Sequence, residues 1–244
     1  MCLVADLHIH TVASGHAYST VLENAKAAAD RGLALIGITD HGPNMPGGPH
    51  EYHFANLVAL PEVLYGVRVL RGIEANIIDQ NGSLDLPDER LSKLDVVMAG
   101  FHSESFTAGT VEENTAMLIN TIKNPWVDVI VHPGNPALQI DAEAVVKAAV
   151  AYDVALEVNN SSLVRSRKGS RPYCGRIIQL ARQYGAKMIV GTDSHFALHI
   201  GDFSEALQLL AENDVAPDAM LNSSVEKLLA HLNRRTNRLN PVTF

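Results

Sequence analysis

Seven short apolar segments, CLVADLHIH, LALIGITDH, VRVLRGIEAN, LDVVMAGFH, VDVIVHPG, VALEVNN and KMIVGTDSH, carry ionisable or amide side chains toward their C-terminal ends. That placement constrains the fold more than any other feature of the chain. The segments show little alternation of polar and apolar residues, as expected of parallel strands covered on both faces. Helical patterns separate most of them: STVLENAKAAADRG stopping at Gly32, TVEENTAMLINTIKN, DAEAVVKAAVAYD behind an Asp141 N-cap, YCGRIIQLARQYG and FSEALQLLAEND. Repeated alternation of strand and helix implies an α/β architecture with right-handed crossovers. An open sheet would spread the polar ends along an edge, whereas a barrel gathers strand C-termini at one mouth. A closed or distorted barrel is therefore the expected fold.

The polar ends are His8 and His10, Asp40 and His41, Glu74, His102, His132, Glu157 and Asn159, and Asp193 and His195. With 11 histidines in 244 residues, repeated placement at strand ends exceeds what composition alone would give. In HIH and DSH the paired residues lie two apart, and alternate strand side chains share a face, so both members point the same way. Asp6 shares that parity, and the turn after the first strand returns His16 to the same mouth. Imidazole nitrogens and carboxylate oxygens are the donors that zinc prefers, and manganese and iron accept them too. Nine residues, His8, His10, His16, His41, Glu74, His102, His132, Asp193 and His195, exceed the needs of one tetrahedral ion and point to two or three metals. A lone buried histidine is more often a hydrogen-bonded core residue. Burying this whole set without cations would leave large desolvation costs unopposed.

A chain of 244 residues with 47% hydrophobic content reads as one domain over 1–244, with its core at about 4–229 and the tail RRTNRLNPVTF peripheral. A net charge of −8 offers no basic stripe and disfavours nucleic acid as a partner. Cys2 and Cys174 lie outside any C-x-x-C spacing and read as reduced thiols. The start of the chain does not read as a signal sequence, and no apolar stretch reaches the roughly 18 residues a membrane helix needs, so a soluble cytoplasmic protein with no membrane association is expected.

As a set, DLHIHT, GITDHG, RGIEAN, AGFHS, VHPGNP, LEVNNSS and GTDSH resemble the motifs of the PHP family, named for polymerase and histidinol phosphatase. The likeness is greatest to its small standalone bacterial zinc phosphatases of the YcdX type, and runs from Val4 to about Leu229. It implies a distorted (β/α)7 barrel with a trinuclear zinc site. By that resemblance His8 and His10 with Glu74 and Asp193 hold one ion, Glu74 bridges to a second ion bound by His102 and His132, and His16, His41 and His195 hold a third. Asp6 and Asp40 fit roles orienting ligand imidazoles through the opposite ring nitrogen, or equally roles as helix caps and core acceptors.

Clustered cations lower the pKa of bound water from about 15.7 to roughly 7 and stabilise attacking and leaving oxygens together. The expected reaction is hydrolysis of a small phosphorylated metabolite, a phosphomonoester, by a metal-bridging hydroxide. Asp193, His195 and Glu74 carry the chemistry at three divalent ions, zinc first and manganese or iron next. Arg165, Arg167 and Lys168 in NNSSLVRSRKGS are the candidate phosphate binders, with a solvated basic loop as the plainer alternative. His50 and His53 in GPHEYHF read as helix-start or surface residues ahead of mouth lining.

The alternatives are a PHP-type 3′-exonuclease or phosphodiesterase, an amidohydrolase and a non-catalytic zinc-binding protein. Acidic charge and the lack of an aromatic stacking stripe disfavour the first, and no lysine ends a middle strand as the second would use. The third would have a closed ligand shell. The natural substrate, the metal and the subunit number, a homo-oligomer included, stay open.

Overall fold

The computed structural model describes residues 3–234 and 239. Its strands are β1 (Ala5–Asp6), β2 (Leu35–Ile38), β3 (Val63–Leu64), β4 (Val67–Asn76), β5 (Val96–Gly100), β6 (Val129–Ile130), β7 (Ala155–Asn159) and β8 (Met188–Gly191). The helices are α1 (Val21–Asp30), α2 (Glu51–Asn56), α3 (Asp88–Leu91), α4 (Val111–Lys123), α5 (Ala142–Ala151), α6 (Asn160–Val164), α7 (Arg171–Tyr184), α8 (Ser204–Glu212) and α9 (Val225–Asn233). Local chemistry explains several of their ends. Thr20 and Thr110 each form a capping box with Glu23 and Glu113, Asp141 accepts from the Glu143 and Ala144 N–H groups, and Gly185 ends α7 at φ 73°.

The strands pair in parallel in the order β1, β2, β4, β5, β6, β7, β8. Past β1 and β8, Ile9 bridges Ser194, with the His10 N–H donating to Ser194 O at 2.9 Å and the Ser194 N–H to His8 O at 3.1 Å. These bonds bring the first strand against the last and nearly close a distorted (β/α)7 barrel, the single-domain fold expected from the sequence. One strand departs from the expectation. β3 folds antiparallel onto β4 through Tyr65 and Gly66, both at positive φ (51° and 80°), a tight hairpin turn built without an Asn-Gly signal.

Leu70, Met98, Val129, Ala155 and Ile189 form one buried layer with Leu228 and Leu232 of α9. On β4, β5, β7 and β8, even-numbered steps from this layer lead to Glu74, His102, Glu157 and Asp193, so the apolar plug and the polar mouth share the inward face. Asp128 and Asp153 precede β6 and β7, and the Arg234 guanidinium donates to Asp128 Oδ1 at 3.0 Å and to the Asp153 carbonyl at 2.6 Å. Helix α9 therefore seals the N-terminal ends of the strands. The core thus runs past the expected limit near residue 229. Leu239 is also buried, and its N–H donates to Asn233 Oδ1 at 2.9 Å, so this part of RRTNRLNPVTF is not peripheral. The rest of that tail after Arg234, and Cys2, lie outside the described residues. Among the described residues no helix is long and apolar enough to cross a membrane.

His231 of α9 donates from Nε2 to the Asp128 carbonyl at 3.2 Å, and burial, then the Arg234 charge, push its pKa down to about 3. Below the ordinary imidazole value near 6.5 the unfolded chain takes up a proton that folded His231 refuses, so stability falls as pH drops. The loss is about 2 kcal/mol at pH 5. Urea midpoints at pH 7 and pH 5 should show that loss shrinking in His231→Gln relative to wild type. An identical pH dependence in the two proteins would rule this linkage out.

Candidate metal centre

Glu74, wholly buried near the end of β4, is the hub of the mouth. Its Oε1 lies 3.3 Å from His8 Nε2, 3.0 Å from His102 Nε2 and 2.8 Å from His132 Nε2. Its Oε2 lies 3.4 Å from His10 Nε2 and 2.8 Å from His41 Nδ1. Asp193 Oδ1 stands 3.6 Å from His8 Nε2 and 3.3 Å from His10 Nε2. The exposed His16 ring sits 5.0 Å from the His41 ring and 4.9 Å from that of His195. All nine residues singled out from the sequence are thus brought together. His8, His10 and Asp193 form one group with donor atoms within 4.8 Å of one another, His10, His41 and His195 a second, and His41, Glu74 and His102 a third. His10 and His41 each belong to two groups, so the donors form one continuous cluster.

The partner of each Nδ1 sets which ring nitrogen is bare. His8 Nδ1 donates to Glu157 Oε1 at 2.7 Å, which leaves the Nε2 lone pair pointing at Glu74 and Asp193 oxygens. The Ser14 hydroxyl donates to Asp40 Oδ1 at 2.7 Å, so it accepts from His10 Nδ1 at 3.0 Å and leaves His10 Nε2 bare as well. His8 Nε2, His10 Nε2, His41 Nδ1 and Glu74 Oε2 are buried without a hydrogen-bond partner among the described residues. Lone pairs facing lone pairs in a dry site repel unless a cation lies between them. Donors 2.0–2.1 Å from one tetrahedral zinc lie about 3.3 Å apart. The separations of 3.3 to 3.6 Å among His8, His10, Glu74 and Asp193 match that spacing, so the residues fit divalent metal.

The electrostatics agree. Burial opposes the charge on Glu74 and Asp193, yet the surrounding imidazoles, with Arg167 beside Asp193, hold both carboxyls well below their usual range. Burial alone would lower His8, but Glu157, Glu74 and Asp193 raise it well above the ordinary value, so without a metal the field favours a proton on Nε2, the place a cation would take. His132 is pushed down to about 3 by burial and then by Arg167. His132 (φ 35°) and Asp193 (φ 52°) adopt left-handed backbone that non-glycine residues hold only under constraint, at a cost of about 1–3 kcal/mol each. Glu157 Oε2 restrains the first by accepting the His132 N–H at 2.9 Å.

Of the two roles left open for Asp6 and Asp40, the structure shows that of buried acceptor. Neither Asp6 nor Asp40 hydrogen-bonds a ligand imidazole. Asp6 accepts from Thr192 Oγ1 at 2.5 Å and from the backbone of His8, Thr192 and Gly201, tying β1 to the segment after β8, and burial raises its pKa to about 6. Asp40 accepts from Thr11, Ser14 and His53, and these bonds outweigh burial to hold it at about 2. Its hydrogen-bonded path to His10 runs through Ser14. The orienting carboxylate is Glu157, buried on β7. Its E-x-N spacing with Asn159 repeats the two-residue step of HIH and was the available signal. His50 caps α2 by accepting the Tyr52 N–H at 3.2 Å, the helix-start role expected, while His53 reaches Asp40.

Above the cluster opens a cavity of about 820 Å³ whose lining includes His16, His41, His102, Asp193 and His195. Arg165, Arg167 and Lys168 line it as well, which brings the expected phosphate binders to the metal-binding mouth. Arg167 is partly committed, since its Nη1 donates to Asp193 Oδ2 at 2.9 Å and to Ser162 Oγ at 3.2 Å.

A protein named "Probable phosphatase" from Caldanaerobacter subterraneus subsp. tengcongensis is 50% identical to this chain over 238 residues, covering 97% of it and 94% of the relative. Another of that name from Acetivibrio thermocellus is 47% identical over 239 residues, with 98% and 99% covered. Among solved structures, the histidinol phosphate phosphatase of Lactococcus lactis subsp. lactis, complexed with zinc, L-histidinol and phosphate, aligns with a TM-score of 0.64. That alignment has 14% identity and covers 88% of this chain and 95% of that one, a likeness of fold. The PHP domain profile matches residues 6–161, from the first strand through β7. Sequence, fold and donor geometry converge, and the chain belongs to the PHP domain family.

Proposed function

We propose that this protein is a metal-dependent phosphatase that hydrolyses a small phosphomonoester at a site for three divalent cations, zinc first, with manganese or iron as alternatives. The observation that carries the reading is the facing of bare imidazole nitrogens and carboxylate oxygens on the floor of a cavity of about 820 Å³. The names of the relatives, and the zinc and phosphate in the Lactococcus enzyme, support it. His8, His10, Glu74 and Asp193 would hold one ion, Glu74, His102 and His132 a second, and His16, His41 and His195 a third. Cations bound there supply Lewis acidity and bring the pKa of coordinated water to about 7.

The chain's own residues do the rest. Glu157 keeps the proton on His8 Nδ1, and Ser14 keeps that of His10 on Nδ1, so both rings present Nε2. Arg167, braced by Asp193 and Ser162, is assigned to the phosphoryl oxygens, a planar donor set matched to them. Glu74, Asp193 and His195 would be the residues in direct reach of bound cations and are assigned the catalytic roles.

Elemental analysis after zinc or manganese loading, with a panel of phosphomonoesters, a phosphodiester and single-stranded DNA, tests the proposal. At least two ions per chain and fastest turnover of a monoester are expected. Chelation should stop turnover and lower Tm by about 10 °C, the loss of roughly 4 kcal/mol of binding free energy. Fewer than two ions, or a diester or DNA cleaved faster than every monoester, would overturn it.

A further inference from the structure

We infer that the phosphoester taken by this site carries a second anionic group, a phosphate or a carboxylate, on its leaving group, and that Arg165 and Lys168 bind it at the cavity mouth. The inference rests on the phosphatase reading and names the substrate class for it. A net charge of −8 means that carboxylates outnumber basic side chains, 27 to 19, so basic groups have no shortage of partners. Several take them, as Arg171 does with Glu205 and Glu212, Lys187 with Asp153 and Arg234 with Asp128, while others, such as Arg31 and Lys227, donate to carbonyl groups. Arg165 and Lys168 line the cavity, yet neither side chain makes an ion pair or hydrogen bond among the described residues.

The two carboxylates on the lining are otherwise engaged. Asp193 holds Arg167, and Glu104 accepts from Ser103 at 3.0 Å and feels Arg167 and His102. Arg167 therefore answers to the floor, beside the metal donors. Arg165 acts on another part of the wall. It lowers the pKa of His199, after burial, and the His199 ring stands edge-on to Phe196 with centroids 6.0 Å apart. Both of those rings line the cavity. A single phosphoryl group at the metal donors would leave Arg165 and Lys168, both exposed on the cavity lining, without an anionic partner. The volume of about 820 Å³ lies high in the range of about 300–1,000 Å³ that encloses whole small molecules, so the leaving group has room to reach them. A bis-anionic ester neutralises both ends of the cavity at once, with charge-assisted hydrogen bonds at the outer end.

The test uses the zinc-loaded protein and short straight-chain diols of increasing length, each as monophosphate and bisphosphate, with ω-carboxylate monophosphates of the same lengths. For at least one length the doubly anionic ester should show a kcat/KM at least about tenfold above its matched monophosphate, through KM, as one charge-assisted hydrogen bond supplies. The arm with the larger ratio tells phosphate from carboxylate. In the Arg165→Ala/Lys168→Ala variant the ratio should fall toward one. A ratio near one at every length in wild type, or a ratio that survives the double substitution, overturns the inference. Should no ester be turned over, the phosphatase reading fails, and calorimetry decides the subsite separately. Alkane bisphosphonates should then bind at least about tenfold tighter than matched alkylphosphonates only when Arg165 and Lys168 are present, and equal affinities would refute it.

Discussion

Glu74→Gln is expected to strip cations from the centre and stop turnover while leaving the barrel folded. The carboxylate lies within 3.4 Å of five imidazole nitrogens, from His8, His10, His41, His102 and His132, and is fully buried among them. An amide of the same shape removes a negative charge from a place with no water to replace it, and aims an N–H group where a cation or an imidazole lone pair must sit. Losing several kcal/mol of charge stabilisation at the reacting centre corresponds to a fall in kcat/KM on the order of 10³ or more. Bound metal should drop by at least one ion per chain in the same variant. Melting curves of chelated wild type and chelated variant should nearly coincide, which separates damage to the centre from damage to the fold. Wild-type metal content together with wild-type rates would remove Glu74 from the hub.

Much of this centre was legible because the information is local. Strand-end position, two-residue spacing and donor type are all properties of short segments, and they located the nine donors from His8 to His195. What escaped was set by contacts between distant segments. Glu157 meets His8 across 149 residues, and Ser14 earns its role only because Asp40, 26 residues on, takes its proton. Serine is too common in loops for the role of Ser14 to stand out. Asp6 has the parity expected of an orienting residue but is captured by Thr192 and Gly201, and Asp40, next to His41, reaches the ligand candidate His10 through a hydroxyl. Helix α9 shows the same limit in the fold. Leu228 and Leu232 are spaced for one helix face, yet that face matters because the N-terminal ends of the strands need a cover, which no local pattern encodes. Arg167 is a candidate phosphate binder in a basic loop by its sequence, and the tertiary structure ties one of its nitrogens to Asp193.

Glu157→Gln and Gly191→Ala should weaken the metal site from beneath, without touching a donor atom. Both Glu157 oxygens accept: Oε1 from His8 Nδ1, and Oε2 from the His132 N–H at 2.9 Å and from Asn159 Nδ2 at 3.0 Å. Glutamine has one acceptor oxygen. If its amide nitrogen faces His8, that ring must shift its proton to Nε2 and lose the lone pair meant for a cation. If the nitrogen turns the other way, it meets the His132 N–H, and the backbone at φ 35° loses its restraint. Either outcome spoils one ligand.

Gly191→Ala reaches the same pair by steric means, since a Cβ there would collide with Glu157 Oε1 and lie 3.0 Å from His8 Cβ. Loss of such an orienting contact costs about 10–100-fold in metal affinity, so zinc competition titrations should show both variants weakened within that range. Activity at saturating zinc should recover further than in Glu74→Gln, because the donors themselves remain. Unchanged zinc affinity in both variants would mean that His8 and His132 hold their geometry without the β7 carboxylate.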